Sequence, residues 1–284
     1  MSKIALITGA TRNLGFCLAE GLARRLHPSD VVYLTGRDAG RVTESVSRLA
    51  GSRARVAGEV LDVSDGAAVK RLSETLAERH GGIDIVFSNH YARIQPQDDP
   101  ALVIDDYVAT NNLGTTHVLR HMAPLIRDKG RLLVVASRAG SLRALAPALH
   151  GRFENLQSLD DVDQAVCAWR DTVRRRRAAG QAWPEWVNIP SKIGQVAAVR
   201  VLAEQRRSQD LLRGIMLAAI SPGMIDTGAS RGWLDMTDAR SPEEVAGPLL
   251  DFALEEPLEA SFYGGLINLG LGEPGRFRSQ VPWK

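Results

Sequence analysis

The apolar run KIALI at 3–7 passes directly into Thr8–Gly15 (TGATRNLG) and then into a helical pattern. A turn that opens a helix this way presents backbone N–H groups and the positive end of the helix dipole, and its glycines let the chain approach a bound group closely. The chemistry on offer is capture of a pyrophosphate, with Gly9, Thr11, Arg12, Asn13, Leu14 and Gly15 placed to hold it. Arg12, and Arg37 just past the second apolar run, are positioned to meet a 2′-phosphate, where a carboxylate would instead take ribose hydroxyls. The charge therefore favours NADPH/NADP+ as cofactor. Farther along, Ser137 ends the run RLLVVAS and Lys192 lies in NIPSKIG at the start of a helical pattern. Four residues before that lysine stands Asn188. Its carboxamide can donate a hydrogen bond to a developing oxyanion, but it does not exchange a proton usefully near neutral pH.

These residues need elements to hold them. Short β-branched or aliphatic runs occur at 3–7, 31–35, 54–60, 83–87, 131–136, 214–220 and 262–268, with helical spacing between most of them, as at 13–26, 40–50, 66–79 and 108–126. Near-continuous apolar strands alternating with helices predict a parallel sheet covered on both faces. The expected fold is α/β, a Rossmann-like doubly wound sheet of about seven strands. No repeat or low-complexity linker divides the chain, so residues 1–284 are expected to form a single domain with a helical insertion at 142–187. Within the insertion, Ser158 followed by Asp161, with Leu159, Val162, Val166, Trp169 and Val173 beyond, predicts a capped amphipathic helix. The basic run Arg174–Arg177 reads as the solvated end of that helix. SPEE at Ser241–Glu244 reads as a helix start.

Composition narrows the partners. A formal charge of +2 argues against nucleic acid or an anionic membrane as the main partner, and no run approaches the length of a membrane span. Cys17 and Cys167 match neither a disulfide framework nor a metal-ligand spacing. The N-terminus has no secretion leader, so the expectation is a cytoplasmic protein acting on a small molecule, without a metal.

The motifs also carry a resemblance. TGATRNLG is similar to the TGxxxGxG fingerprint of the short-chain dehydrogenases/reductases, with Asn13 at the middle glycine; asparagine is among the few other residues that tolerate positive φ. The likeness continues in the family's order. LDVSD carries Asp62 and Val63 at the adenine contact, and SNHYA at Ser88–Ala92 stands where NNAG is usual, with Asn89 matching. NNLG places the catalytic asparagine on Asn111, SRAG places the catalytic serine on Ser137, and SPGMIDT supplies Pro222, Gly223 and Thr227 for the nicotinamide carboxamide. Taken singly, Asn111 and Asp62 could be helix caps, Ser137 a strand-end hydroxyl and Pro222–Gly223 a turn.

The resemblance implies a hydride transfer to a carbonyl carbon with Lys192 beside the proton donor. In the family that donor is a tyrosine, and its position here is Asn188. The long insertion resembles that of the monomeric carbonyl reductases, which implies a monomer. Three routes would keep such a site reductive: Lys192 acting directly or through water, a donor from His90 or Tyr91, or a substrate needing little protonation. His150 and Glu185 flank the insertion, and 224–240 is expected to be a flap with Trp233 and Leu234 as apolar contacts. Two functions follow. One is an atypical NADPH-dependent reductase of a carbonyl, imine or activated C=C, using Ser137, Lys192, Asn111 and Asn188. The other is a non-redox enzyme or an NADP(H)-sensing protein on the same scaffold.

Overall fold

The computed structural model describes residues 2–227, 233, 235–254, 259–270 and 278–284. All seven expected strands form, as β1 (Ile4–Ile7), β2 (Val31–Gly36), β3 (Arg55–Val60), β4 (Ile83–Ser88), β5 (Ile126–Val135), β6 (Met216–Ser221) and β7 (Leu266–Asn268). They are joined by β8 (Ser279–Val281), which the sequence pattern does not announce because it has three residues on a sheet edge, none of them buried. The sheet order is β3-β2-β1-β4-β5-β6-β7-β8, parallel except for the last pair. Every residue of β1, β2 and β6 is buried, as expected when helices cover both faces.

The chain leaves β1 for β2 in one direction and returns to place β4 on the other side of β1. At such a reversal the two crossovers diverge and leave a crevice beyond the carboxyl ends of the strands. Helices α1 (Asn13–Arg25), α2 (Ala39–Arg48) and α3 (Gly66–His80) belong to the first half. On the far side of the crevice, α4 (Pro100–Val108) and α5 (Gly114–Met122) are joined without a break by a π-helical turn at Ala109–Leu113. The helix thus begins earlier than the spacing at 108–126 suggests, because Asp99 caps it by accepting from the Ala101 N–H.

The capped helix expected within 142–187 forms as α6 (Leu159–Arg174). Ser158 and Asp161 form a reciprocal capping box, and Leu159, Val162, Val166, Trp169 and Val173 are all buried. This helix packs on α4 and on α7 (Asn188–Leu212). The basic run that ends it is solvated as expected, with all four arginines exposed, and two of them pair across the surface with acids of the α4 region, Arg174 with Asp105 and Arg176 with Asp99. Ser241 and Glu244 cap α8 (Pro242–Leu254) reciprocally. Among the described residues no helix is long and apolar enough to cross a membrane.

Candidate active site

The phosphate turn is fixed by its neighbours. Gly9 has φ +62°, and a Cβ there would lie 2.7 Å from the His90 Cα; a Cβ on Gly15 would lie 2.3 Å from the Gly9 carbonyl oxygen. Both positions therefore require glycine for packing alone. Asn89 clamps the turn by donating from Nδ2 to the carbonyls of Thr8 and Gly9, each at 3.2 Å. Asn13 takes up positive φ, +48°, as expected for the one non-glycine position of the fingerprint. Arg12 is the N-cap of α1 but makes no capping bond, and no acid lies in the first turn, so that helix end keeps its positive field.

Beside this turn is a cavity of about 190 Å³ lined by Thr11, Arg12, Arg41, Glu44, Ser45 and Arg48. Three guanidinium groups against one carboxylate suit a dianionic phosphate. Arg41 and Arg48 are one heptad apart on α2 and so share a face, a spacing present in the sequence but remote from the position directly after β2. Arg37 is exposed at the end of β2 and is not among the lining residues.

His90 is not a proton donor to the crevice. Its ring is buried, and burial, helped by the nearby Lys192 charge, pulls its pKa from 6.5 down to about 3. Thr8 Oγ1 accepts from the backbone N–H groups of Asn89 (2.9 Å) and His90 (3.3 Å), and it lies within hydrogen-bond distance of His90 Nδ1 (2.8 Å) and of the Phe87 carbonyl (3.4 Å). The other ring nitrogen, Nε2, faces Thr115 Oγ1 at 3.5 Å, so both nitrogens lie against buried hydroxyls. The expectation that His90 could replace the missing acid fails because a small family residue has become a neutral core side chain.

Tyr91 occupies different ground. Its hydroxyl donates to Asn188 Oδ1 at 3.3 Å, and the buried Tyr107 donates to the same oxygen at 3.0 Å. The two phenol rings meet edge to face with centroids 6.1 Å apart. Lys192 Nζ stands 5.3 Å from the Tyr91 ring centroid. Asn188 and Lys192 are one turn apart on α7, so both side chains face the crevice from one helix face. Burial raises the pKa of both phenols.

Lys192 is buried without a carboxylate partner among the described residues. Its ammonium donates to the Val135 carbonyl at 3.2 Å and to Gln195 Oε1 at 2.8 Å. Desolvation lowers its pKa from 10.5 to about 7. The Gln195 carboxamide in turn donates to the Asn111 carbonyl and to Thr115 Oγ1, both at 2.9 Å. Gln195, which no motif marks, thus ties the Lys192 ammonium to the Asn111 backbone and Thr115. The π-helical turn lets the Asn111 carbonyl accept from outside its own helix, while its side chain pairs in both directions with the backbone of Ala92.

Ser137 follows Val135 by two residues, half-buried at the tip of β5, with Oγ accepting from the Ala139 N–H. Gly140 seats this loop on α7, since a Cβ there would lie 2.9 Å from the Lys192 carbonyl oxygen. Ser137, Lys192, Asn188, Asn111 and Tyr91 therefore gather beyond the ends of β4 and β5. Asp62 turns one oxygen back to the N–H and hydroxyl of Ser64, and Val63 is buried beside Gly114. Pro222 and Gly223 follow β6, with Gly223 at φ +84° and in close approach to Gly270. Thr227 donates its N–H to Ile225, at the base of the segment closed by the Ile225–Arg240 bridge. From that segment Trp233 stacks on Trp186 at 5.9 Å and donates to the Ile94 carbonyl, while Leu234 lies outside the described residues. His150 bonds the Leu145 carbonyl, and Glu185 is exposed.

Residues 3–147, just over half the chain, match the family model described as short chain dehydrogenase. The chain belongs to this family. This short-chain dehydrogenase is 27% identical over 273 residues to carbonyl reductase (NADPH) 3 of Mus musculus, covering 94% of this chain and 96% of that one. It is 28% identical over 280 residues to carbonyl reductase (NADPH) 1 of the same species, covering 95% and 98%. Salutaridine reductase from Papaver somniferum shares the fold at a TM-score of 0.76 and 21% identity, covering 93% of this chain and 99% of that one. A short chain dehydrogenase from Burkholderia cenocepacia, solved in complex with NADP, gives 0.65 and 20%, with 94% and 96% covered.

Proposed function

We propose that this oxidoreductase uses NADPH to reduce a small-molecule carbonyl, imine or activated C=C, in the manner of its carbonyl reductase relatives. The observation that carries the reading is the desolvated Lys192, bonded to the end of β5 two residues before Ser137, in the crevice where the strand order reverses. The arginine-lined cavity beside the phosphate turn supports NADPH over NADH. The bound cofactor supplies the hydride. Arg12, Arg41 and Arg48 would hold its 2′-phosphate, the turn from Gly9 to Gly15 its pyrophosphate, and Pro222, Gly223 and Thr227 its carboxamide. Ser137 would orient the substrate oxygen. Lys192, with a pKa of about 7, holds or yields a proton near neutrality. We further take the protein to be cytoplasmic and a monomer, the latter because α6 lies along α4 and α7.

Asn188 favours a second reading, a non-redox enzyme or an NADP(H) sensor, because its side-chain oxygen accepts from two phenols where the family keeps an acid. NADPH titration, followed by a spectrophotometric screen of ketones, quinones, enones and cyclic imines, separates the two. Binding with oxidation of NADPH is the expected result. Binding without oxidation across the panel would transfer the case to the sensor or non-redox enzyme, and no binding at millimolar NADPH would refute the reductase.

A further inference from the structure

We propose that Tyr91, carried on the loop after β4 rather than on α7, is the proton donor of this site; the proposal rests on the reductase reading above. The chain has four tyrosines. Tyr33 is bonded to His80 at 2.8 Å, and Tyr263 gives its proton to Asp210 at 2.8 Å. Tyr107 is 2% exposed and donates to Asn188. Tyr91 alone combines partial exposure with contact to the residue at the acid position and to the site lysine.

The geometry explains the asparagine. A tyrosine at position 188 would extend into the space that the Tyr91 phenol fills, whereas the shorter carboxamide stops one hydrogen bond away from it. A carboxamide also serves both protonation states of its neighbour. Its oxygen accepts from the phenol, and turned over it gives an N–H to the phenolate. Tyr107 holds that carboxamide from the buried side, and Lys192 stands over the Tyr91 ring as the counter-charge. Tyr107 and Asn188 are thus positioning residues.

In the step, hydride from the reduced nicotinamide forms the C–H bond at the carbonyl carbon, and the π pair moves to oxygen. That oxygen takes the Tyr91 proton, the phenol O–H bond breaks, and its pair remains on the phenolate. The cofactor is oxidised, the carbonyl becomes an alcohol, and the phenolate regains a proton from solvent.

The test compares Tyr91→Phe and Tyr107→Phe with the wild type, using the best carbonyl substrate of the panel. NADPH affinity in Tyr91→Phe should stay within about threefold while kcat falls by roughly 10²- to 10⁴-fold, the usual loss on removing a general acid. Tyr107→Phe should lose far less. Without turnover, the infrared carbonyl stretch of that substrate in the NADP+ complex should be shifted down in wild type and Tyr107→Phe, and shifted measurably less in Tyr91→Phe, where Ser137 alone still donates to the oxygen. A Tyr91→Phe protein that binds NADPH and reduces at the wild-type rate overturns the proposal alone. So does Tyr91→Gly with tighter NADPH binding and unchanged kcat, which would make the ring an obstruction. A wild type that does not bind NADPH, or binds it without turnover, overturns the reductase reading and this assignment with it.

Discussion

Acidification should weaken the fold through His90 more than through any other histidine. The folded ring has a pKa of about 3 against an ordinary 6.5. Between those values the unfolded chain binds a proton that the folded chain refuses, so stability is fully present above 6.5 and is lost as pH falls toward 3. Taking those two values, the loss from pH 7 to pH 5 is about 2 kcal/mol, at ~1.4 kcal/mol per unit once below the unfolded pKa. Urea unfolding of the wild type and His90→Ala at pH 7, 6 and 5 measures it. The variant starts lower at pH 7, by about 2–4 kcal/mol for the lost buried ring and its bond to Thr8. Its stability should then fall by about 2 kcal/mol less over the acid range, a difference in which contributions from His80 and His121 cancel. Parallel pH dependences would refute the burial argument and reopen His90 as an acid.

Lys192→Met should stabilise the protein free of cofactor at pH 7, because below about 7 the folded state carries the full cost of a buried ammonium. That cost fades as pH rises through the window from about 7 to 10.5, so the gap between variant and wild type should narrow by about 2 kcal/mol between pH 7 and 9, and a constant gap would refute the desolvated lysine. Arg41→Ala and Arg48→Ala should each weaken NADPH binding by roughly 10- to 100-fold with little effect on NADH, as titration of both cofactors would show. Gln195→Leu should cost about 1–3 kcal/mol in urea unfolding by leaving the Asn111 carbonyl and Lys192 short of partners, and it should move the pH midpoint of kcat. Ser158→Ala should lower stability by about 1 kcal/mol without altering NADPH affinity, since it removes only the α6 cap.

The strands, the phosphate turn and α6 were legible because each writes its physics locally, as an apolar run, a turn or a capping box. Asn13 at positive φ was legible for the same reason. The chemistry around Lys192 was less so. Tyr91 meets Asn188 across 97 residues, and Gln195 meets Asn111 across 84. Such pairings depend on the packing of α7 against α5 and the π-helical turn, which no local pattern records. His90 misled because a titratable side chain in a motif region suggests chemistry, whereas its fate was decided by burial under Gly9 and Gly114. Arg41 and Arg48 required reading α2 as a face rather than reading one position past β2.

From Lys192 through Gln195, Thr115 and His90 to Thr8 runs one continuous line of hydrogen-bonding groups, from the crevice to the phosphate turn. Two of its members can carry a positive charge, and among the described residues no carboxylate is bonded to either. His90 feels the lysine as a charge that opposes its own protonation, while the lysine is perturbed by burial alone because the ring is neutral when the lysine titrates. The line therefore has the capacity for one cation, and the lysine holds the prior claim to it. As pH falls through about 7 the lysine takes up the single positive charge of this line, and the ring beside the phosphate turn stays neutral until far more acid conditions.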